Sequence, residues 1–342
     1  MSANTFRAMI VSEEGENRFL IDIKQKPFDE LPPGDVLVSV KYSSLNYKDA
    51  LSASGNRGVT KRYPHTPGID AAGVVVESIS GELKPGDRVL VTGFDLGMNT
   101  SGGFAEYIRI PSEWVVKISS TLSFRDAMVF GTAGLTAGLS VYKLTEIGGV
   151  KPSAGPVLVT GARGGVGSHA VRILAKLGYE VWAVTGILEN PSEDFEKDRE
   201  FLLGLGAKEV IPREDAGDNS GKPLLKPRWA GVIDTVGGDI LATALKNTMY
   251  GGAVTACGNA ASFELNINVF PFILRGVTLY GIDSVMCPLS LRREIWQRFA
   301  GIWKLADGEA DRMTIECTLE ETSRFIEKLL KGTLKGRAVV KI

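Results

Sequence analysis

A chain of 342 residues exceeds one ordinary hydrophobic core and predicts two domains. With 44% hydrophobic and 23% charged residues it has a globular composition, and its net charge of -1 excludes the basic field that nucleic acid or an anionic membrane attracts. No apolar run reaches the length of a membrane span, and residues 1–7 lack a basic stretch leading into a hydrophobic one; the expected location is cytoplasmic.

Taken in order, residues 1–125 read as β-rich. Runs at 35–42 (DVLVSVKY), 73–78 and 88–92 alternate apolar and polar residues, and turn signals at 31–34 (LPPG), 84–87 (KPGD) and 99–103 separate them. This predicts an antiparallel or barrel-like domain. Residues 126–143 are rich in Ala, Leu and Gly and predict a helix. A buried strand at 156–160 (PVLVT) follows, then a helix at about 166–177 and a second strand at 179–185 (YEVWAVT), which together form a βαβ unit. Further strands are expected at 209–211, 231–236, 253–257 and 277–282, with an external loop at 215–227. Helices at 291–306 and 319–331 flank a strand at 313–318, and the last run, 337–342 (RAVVKI), matches the first domain in character. Expected boundaries are 1–125, 126–309 and 310–342, the last returning to the first domain.

Between the strand at 156–160 and its helix lies TGARGGVGS, residues 160–168. Glycine permits the tight turn and lets the backbone approach a pyrophosphate, while the helix start offers unpaired N–H groups. Dinucleotide binding is the reading; a ligand-free tight turn is the bland alternative. An NAD site places an acid at the end of the second strand to hold the ribose 2′-OH. Here that strand runs into Thr185, Gly186 and Ile187, with Glu189 too far along, which points toward NADP. No arginine stands there for a 2′-phosphate.

Cys257, Cys287 and Cys317 lie far apart and make neither a disulfide framework nor a zinc cluster. His65 and His169 are the whole histidine complement and read as structural. Tyr47 stays open between two roles. It is a proton or hydrogen-bond donor to a developing enolate, or a packed tyrosine with a satisfied hydroxyl.

The segments SSLNYKDAL (43–51), PGIDAAG (67–73), TGARGGVGS, WAGVIDTVGG (229–238), YGGAVTACG (250–258), PFILRGVTLYGIDSV (271–285) and GRAVVKI (336–342) together resemble the zinc-independent medium-chain dehydrogenase/reductase superfamily. The resemblance is to its acrylyl-coenzyme A reductase and quinone oxidoreductase branch. It implies an α/β protein with a GroES-like β-barrel catalytic domain and a Rossmann domain with a doubly wound parallel sheet, assembled as a homodimer. Zinc members carry a cysteine in the first motif and Gly-His-Glu in the second, where this chain has Asn46-Tyr47 and Gly68-Ile69-Asp70. The resemblance further implies NADPH as cofactor, bound by Tyr47, Gly161, Arg163, Gly164, Gly165, Val166, Thr185, Gly186, Asn259, Ile273 and Ser284. Family members carry arginine where this chain has Ile187, so Arg163 or Lys208 is expected to supply the missing charge, unless Arg163 is a solvated loop residue.

The expected reaction is reduction of an activated alkene, acrylyl-coenzyme A to propionyl-coenzyme A, with Tyr47 donating to the enolate and Asn46 assisting. Arg57, Lys61 and Arg62 are candidates for the coenzyme A phosphates. The alternatives are reduction of quinones or enones, and a non-catalytic NADPH-binding protein.

Overall fold

The computed structural model describes residues 4–15, 18–186 and 191–342. It divides into two compact units: unit 1 comprises Met1–Thr132 and Ser284–Ile342, and unit 2 comprises Ala133–Asp283. Along the chain run β1 (Thr5–Glu13), β2 (Phe19–Pro27), β3 (Val36–Leu45), α1 (Tyr47–Ala53), β4 (Asp70–Ser78), β5 (Arg88–Thr92), β6 (Tyr107–Ile110), β7 (Val116–Lys117) and α2 (Phe124–Tyr142). Next come β8 (Val157–Val159), α3 (Gly165–Lys176), β9 (Val181–Thr185), α4 (Pro191–Gly204), β10 (Glu209–Pro212), β11 (Trp229–Asp234), α5 (Gly238–Asn247), β12 (Thr248–Ala256), α6 (Phe270–Arg275) and β13 (Thr278–Gly281). The chain ends with α7 (Leu289–Ala300), α8 (Glu309–Met313), β14 (Thr314–Thr318), α9 (Thr322–Leu330) and β15 (Arg337–Lys341).

In unit 1, seven strands form one sheet in the order β14-β15-β3-β4-β5-β7, with β6 also on β3, and β1 and β2 form a separate hairpin. Residues Val36, Val38 and Val40 alternate along β3 and enter one core with Val75, Val89, Val91, Ile108 and Ile110. That period of two is what a half-buried strand requires. The tail expected to return does so: β15 pairs with both β3 and β14.

The return begins earlier than residue 310. Arg292 on α7 is fully buried. It donates to the Thr92 carbonyl (2.6 Å) and hydroxyl (2.8 Å) and to the carbonyls of Ser284 (2.9 Å) and Val285 (3.0 Å). Phe299 stacks on Phe130 with ring centroids 4.1 Å apart. These contacts set α7 in unit 1 and end unit 2 at Asp283.

Unit 2 is a six-stranded sheet in the order β10-β9-β8-β11-β12-β13, with every pairing parallel. Residues 157–159 are buried throughout, as a parallel strand covered on both faces demands. The chain winds outward from β8 to β10, then restarts at β11 and winds the other way. Between β8 and β11 the loops at the carboxyl edge diverge, the place where doubly wound sheets take ligands. Among the described residues no helix is long and apolar enough to cross a membrane.

Candidate functional site

In unit 2 the glycine-rich turn sits at that divergence, joining β8 to α3. Gly161 has φ +57°, and a side chain there would collide with the Thr235 hydroxyl. A side chain on Gly167 would strike the Gly161 carbonyl and the Ala162 Cα, so only glycine lets α3 close onto the turn. The Ala162 N–H donates to the Val184 carbonyl (2.9 Å), tying the loop to β9. Gly164, the N-cap of α3, meets only the Gly161 carbonyl at 3.3 Å, so its outer side is open. The first N–H groups of α3, from Gly165 and Val166, have no intrahelical acceptors. A cradle of glycine backbone at a helix start fits a pyrophosphate.

Asp234, at the end of β11, braces the cradle and was not singled out from sequence. Its carboxylate accepts the Thr160 hydroxyl (2.7 Å) and the Gly237 N–H (2.8 Å). The Thr235 hydroxyl donates to the Thr160 carbonyl (2.9 Å). Cys257 lies beside it, its thiol donating to the Asp234 carbonyl (3.3 Å), and burial pushes that thiol up to about 12. It is an inert thiol at neutral pH.

The other expected contacts divide. Thr185 ends β9, and its hydroxyl donates to Asp198 Oδ2 (3.1 Å), an acid that reaches the strand end from α4. The strand itself carries no acid, which is why the sequence hid it. Arg163 is not a solvated loop residue: it is 7% exposed and pairs with the same Asp198 Oδ2 at 3.0 Å. Lys208 precedes β10, and its N–H donates to the Val181 carbonyl at the start of β9 (2.8 Å). It therefore stands at the amino edge, opposite the glycine-rich turn. Asn259 is exposed just beyond β12 at the carboxyl edge. Ile273, 68% exposed, lies on α6, the helix leading into β13. Ile187 and Glu189 lie outside the described residues.

In unit 1, Tyr47 opens α1 and is 54% exposed, so it is not a packed core tyrosine. Among the described residues its hydroxyl makes no hydrogen bond. The backbone beneath it is held by a buried polar network. Asn46 donates its amide hydrogens to the Ser44 carbonyl (3.2 Å) and Asp70 Oδ2 (2.8 Å), and its Oδ1 accepts from Arg337 (3.1 Å). Both amide hydrogens of Asn46 are thus engaged within the network. Asp70, fully buried, also accepts the Ser44 hydroxyl (2.6 Å) and the N–H and hydroxyl of Thr132 (2.8 and 2.6 Å).

Asp49 accepts the N–H groups of Asn46 (2.8 Å), Gly68 (3.1 Å) and Ile69 (2.8 Å). Burial, with the Asp70 charge nearby, pushes its carboxyl up to about 7 against the pull of those donors. Burial lowers the Arg337 guanidinium from its ordinary value. Gly131 breaks α2 with φ +50°, and a side chain there would meet Asp70 Oδ2 and the Ser44 hydroxyl at 2.5 Å each. Ser284 is buried with its carbonyl on Arg292.

Of the basic candidates for coenzyme A, Arg57 is engaged by Glu13 (2.6 Å) and by the Lys61 carbonyl (2.9 Å), while Lys61 and Arg62 are exposed. Among the described residues no three His, Cys, Asp or Glu side chains gather as a metal cluster.

Comparison with known proteins is consistent with both units. Residues 32–120 match the family described as alcohol dehydrogenase GroES-like domain, and residues 165–301 match that described as zinc-binding dehydrogenase. The chain is 41% identical to acrylyl-CoA reductase AcuI of Ruegeria pomeroyi, covering 98% of this chain and 99% of that protein. It is similar to the crystal structure of the YhdH oxidoreductase of Salmonella enterica in complex with NADP, with a TM-score of 0.92, 42% identity and coverage of 98% and 99% of the two chains. Bacillus subtilis YhfP, which bears a quinone oxidoreductase name, has a crystal structure with NAD bound; it gives a TM-score of 0.92, 41% identity and 99% coverage of both chains. The chain belongs to the medium-chain dehydrogenase/reductase superfamily of oxidoreductases, as a GroES-like unit and a Rossmann unit on one polypeptide.

Proposed function

We propose that this protein is an NADPH-dependent reductase of activated alkenes, acting on an acrylyl-type thioester such as acrylyl-coenzyme A. The observation that carries the reading is Tyr47, an exposed phenol with an unengaged hydroxyl on a rigidly held backbone. NADPH, when bound, supplies the hydride that reduces the substrate's β-carbon. The glycine cradle at residues 161–167 holds the pyrophosphate. Tyr47 donates a hydrogen bond to the thioester oxygen as negative charge develops there, lowering the cost of the enolate, which then takes a proton at its α-carbon from solvent to give the saturated thioester. Asn46 and Asp70 hold Tyr47 in place. Lys61 and Arg62, exposed in the same unit, are cations available to coenzyme A phosphates. The similarity to AcuI favours a thioester, and that to YhfP keeps a quinone as the second reading.

The test is consumption of NADPH with acrylyl-coenzyme A, crotonyl-coenzyme A and a benzoquinone in parallel. The expected result is the highest kcat/KM on acrylyl-coenzyme A. Faster turnover of the quinone moves the protein to the second reading. Binding of NADPH without turnover on any of the three makes it a non-catalytic binder.

We also propose a homodimer formed through unit 2. Among the described residues strand β13 pairs only with β12 and its other edge has no partner strand, and Val269, Phe270, Ile273 and Leu274 are exposed near it. An unpaired edge beside apolar surface is a pairing site. Light scattering after size exclusion is expected to give twice the chain mass, and Ile273→Asp with Leu274→Asp to shift it toward the monomer. A wild-type monomer removes the assignment.

A further inference from the structure

In unit 1 the β1–β2 hairpin and residues 64–66 line a cavity of about 310 Å³. The backbone brings them together: the Val11 N–H donates to the His65 carbonyl (2.8 Å), and the His65 N–H to the Val11 carbonyl (2.9 Å). Lys24, Lys26 and Glu30 are the charged residues of the wall. Lys24 is tied to Asp22 (3.0 Å).

Two side chains there have unused hydrogen-bonding capacity. Lys26 is half-buried and makes no ion pair among the described residues. It donates to the Ser101 hydroxyl (2.8 Å), which leaves two N–H donors unassigned. Burial lowers its ammonium from the ordinary value, against the pull of Glu30. His65 is 7% exposed, and its Nε2 lies 2.9 Å from the Gly97 carbonyl. A carbonyl only accepts, so the hydrogen of the neutral ring sits on Nε2 and Nδ1 carries a lone pair. Among the described residues Nδ1 makes no hydrogen bond. Burial, with the Lys26 charge, lowers the ring below its ordinary value against the pull of the Gly97 carbonyl and Asp95, so it is neutral at neutral pH.

We propose that this cavity is a binding site for inorganic phosphate, held by Lys26 and His65. An ammonium with spare donors and a ring nitrogen that only accepts share one space, so the ligand must be an anion that also carries a hydrogen. A carboxylate or a sulfate has none at neutral pH and meets the Nδ1 lone pair with its own. Free phosphate keeps an O–H at neutral pH, which donates to Nδ1 while its charged oxygens accept from Lys26. A phosphate monoester has mostly lost that hydrogen, its second pKa being about 6. The site belongs to unit 1, whereas the glycine cradle belongs to unit 2, and it does not depend on the reductase reading.

The experiment is titration calorimetry at neutral pH and constant ionic strength with sodium phosphate, sulfate, acetate and 3′-AMP. The protein is saturated with NADPH so that the glycine cradle is filled. Wild-type protein is expected to bind phosphate at least about 10-fold more tightly than sulfate or acetate, the size of one hydrogen bond to a charged group. Lys26→Met is expected to lower phosphate affinity about 10- to 100-fold. His65→Phe is expected to bring phosphate down to the affinity of sulfate. Thermal unfolding by circular dichroism shows that each variant is folded, and the wild-type selectivity needs no variant. Phosphate bound no more tightly than sulfate by the wild-type protein overturns the proposal. Unchanged phosphate affinity in folded Lys26→Met overturns it as well. Tighter binding of 3′-AMP than of phosphate overturns free phosphate as the occupant.

Discussion

Tyr47→Phe is expected to lower kcat on an enoyl thioester about 100-fold, the usual contribution of one donor to a developing oxyanion, while KM and NADPH affinity change little. The substitution removes one oxygen and keeps the ring, so contacts made by the ring persist. The loss falls on kcat because the hydroxyl matters most when charge reaches the thioester oxygen. Asn46 cannot take over, since both its amide hydrogens are already donated to Ser44 and Asp70. Steady-state kinetics with a direct measurement of NADPH binding separates the terms. Full turnover in Tyr47→Phe would remove the residue from the chemistry, and an equal loss of cofactor affinity would make it a binding residue.

Asp70→Ala is expected to destabilise unit 1 by about 3–5 kcal/mol, the cost of leaving a buried partner charge uncompensated. Arg337 Nη2 lies 3.8 Å from Asp70 Oδ2, with both side chains buried. Removing the carboxylate also orphans the hydroxyls of Ser44 and Thr132 and the Asn46 amide. The charge of Arg337 then lacks its nearest carboxylate. Chemical denaturation followed by a unit 1 tryptophan such as Trp296 gives the shift. The double variant Asp70→Ala/Arg337→Met is expected to lose less than the two single losses added together, because it removes the charge that the first substitution strands. Strict additivity, or a loss below about 1 kcal/mol for Asp70→Ala, would contradict a coupled buried network.

The parallel sheet was the most legible part of the sequence. Its strands are short apolar runs ending in glycine or small residues, and the turn at 161–167 stands where β8 meets α3. What escaped depended on pairs far apart in the chain. The hairpin of β1 and β2 carries a weak apolar alternation, and no residue of β2 is fully buried. The helix expected at 291–306 carries Arg292, which is fully buried and holds the segment in unit 1, a role its charge does not reveal in the sequence.

At the candidate site the same division holds. Glycine spacing exposed the cradle, since only glycine satisfies its sterics. Asp198 was invisible because it meets Thr185 from the middle of an acidic helix with little apolar pattern. Asn46 was legible as part of a motif, but not the network that holds both its amide hydrogens.

The position of β15 has a consequence for the order in which the protein can be assembled. This strand is interior to the unit 1 sheet, between β14 and β3, and Arg337 at its start bonds the Leu45 carbonyl across 292 residues of chain. During synthesis at about 5–20 residues per second, β3 therefore waits roughly 15–60 s for its neighbour to be made. Unit 2 is contiguous in sequence and faces no such wait. The first 132 residues to emerge belong to the unit that is completed last, and the Asn46–Asp70 network under Tyr47 gains its arginine only in that final step.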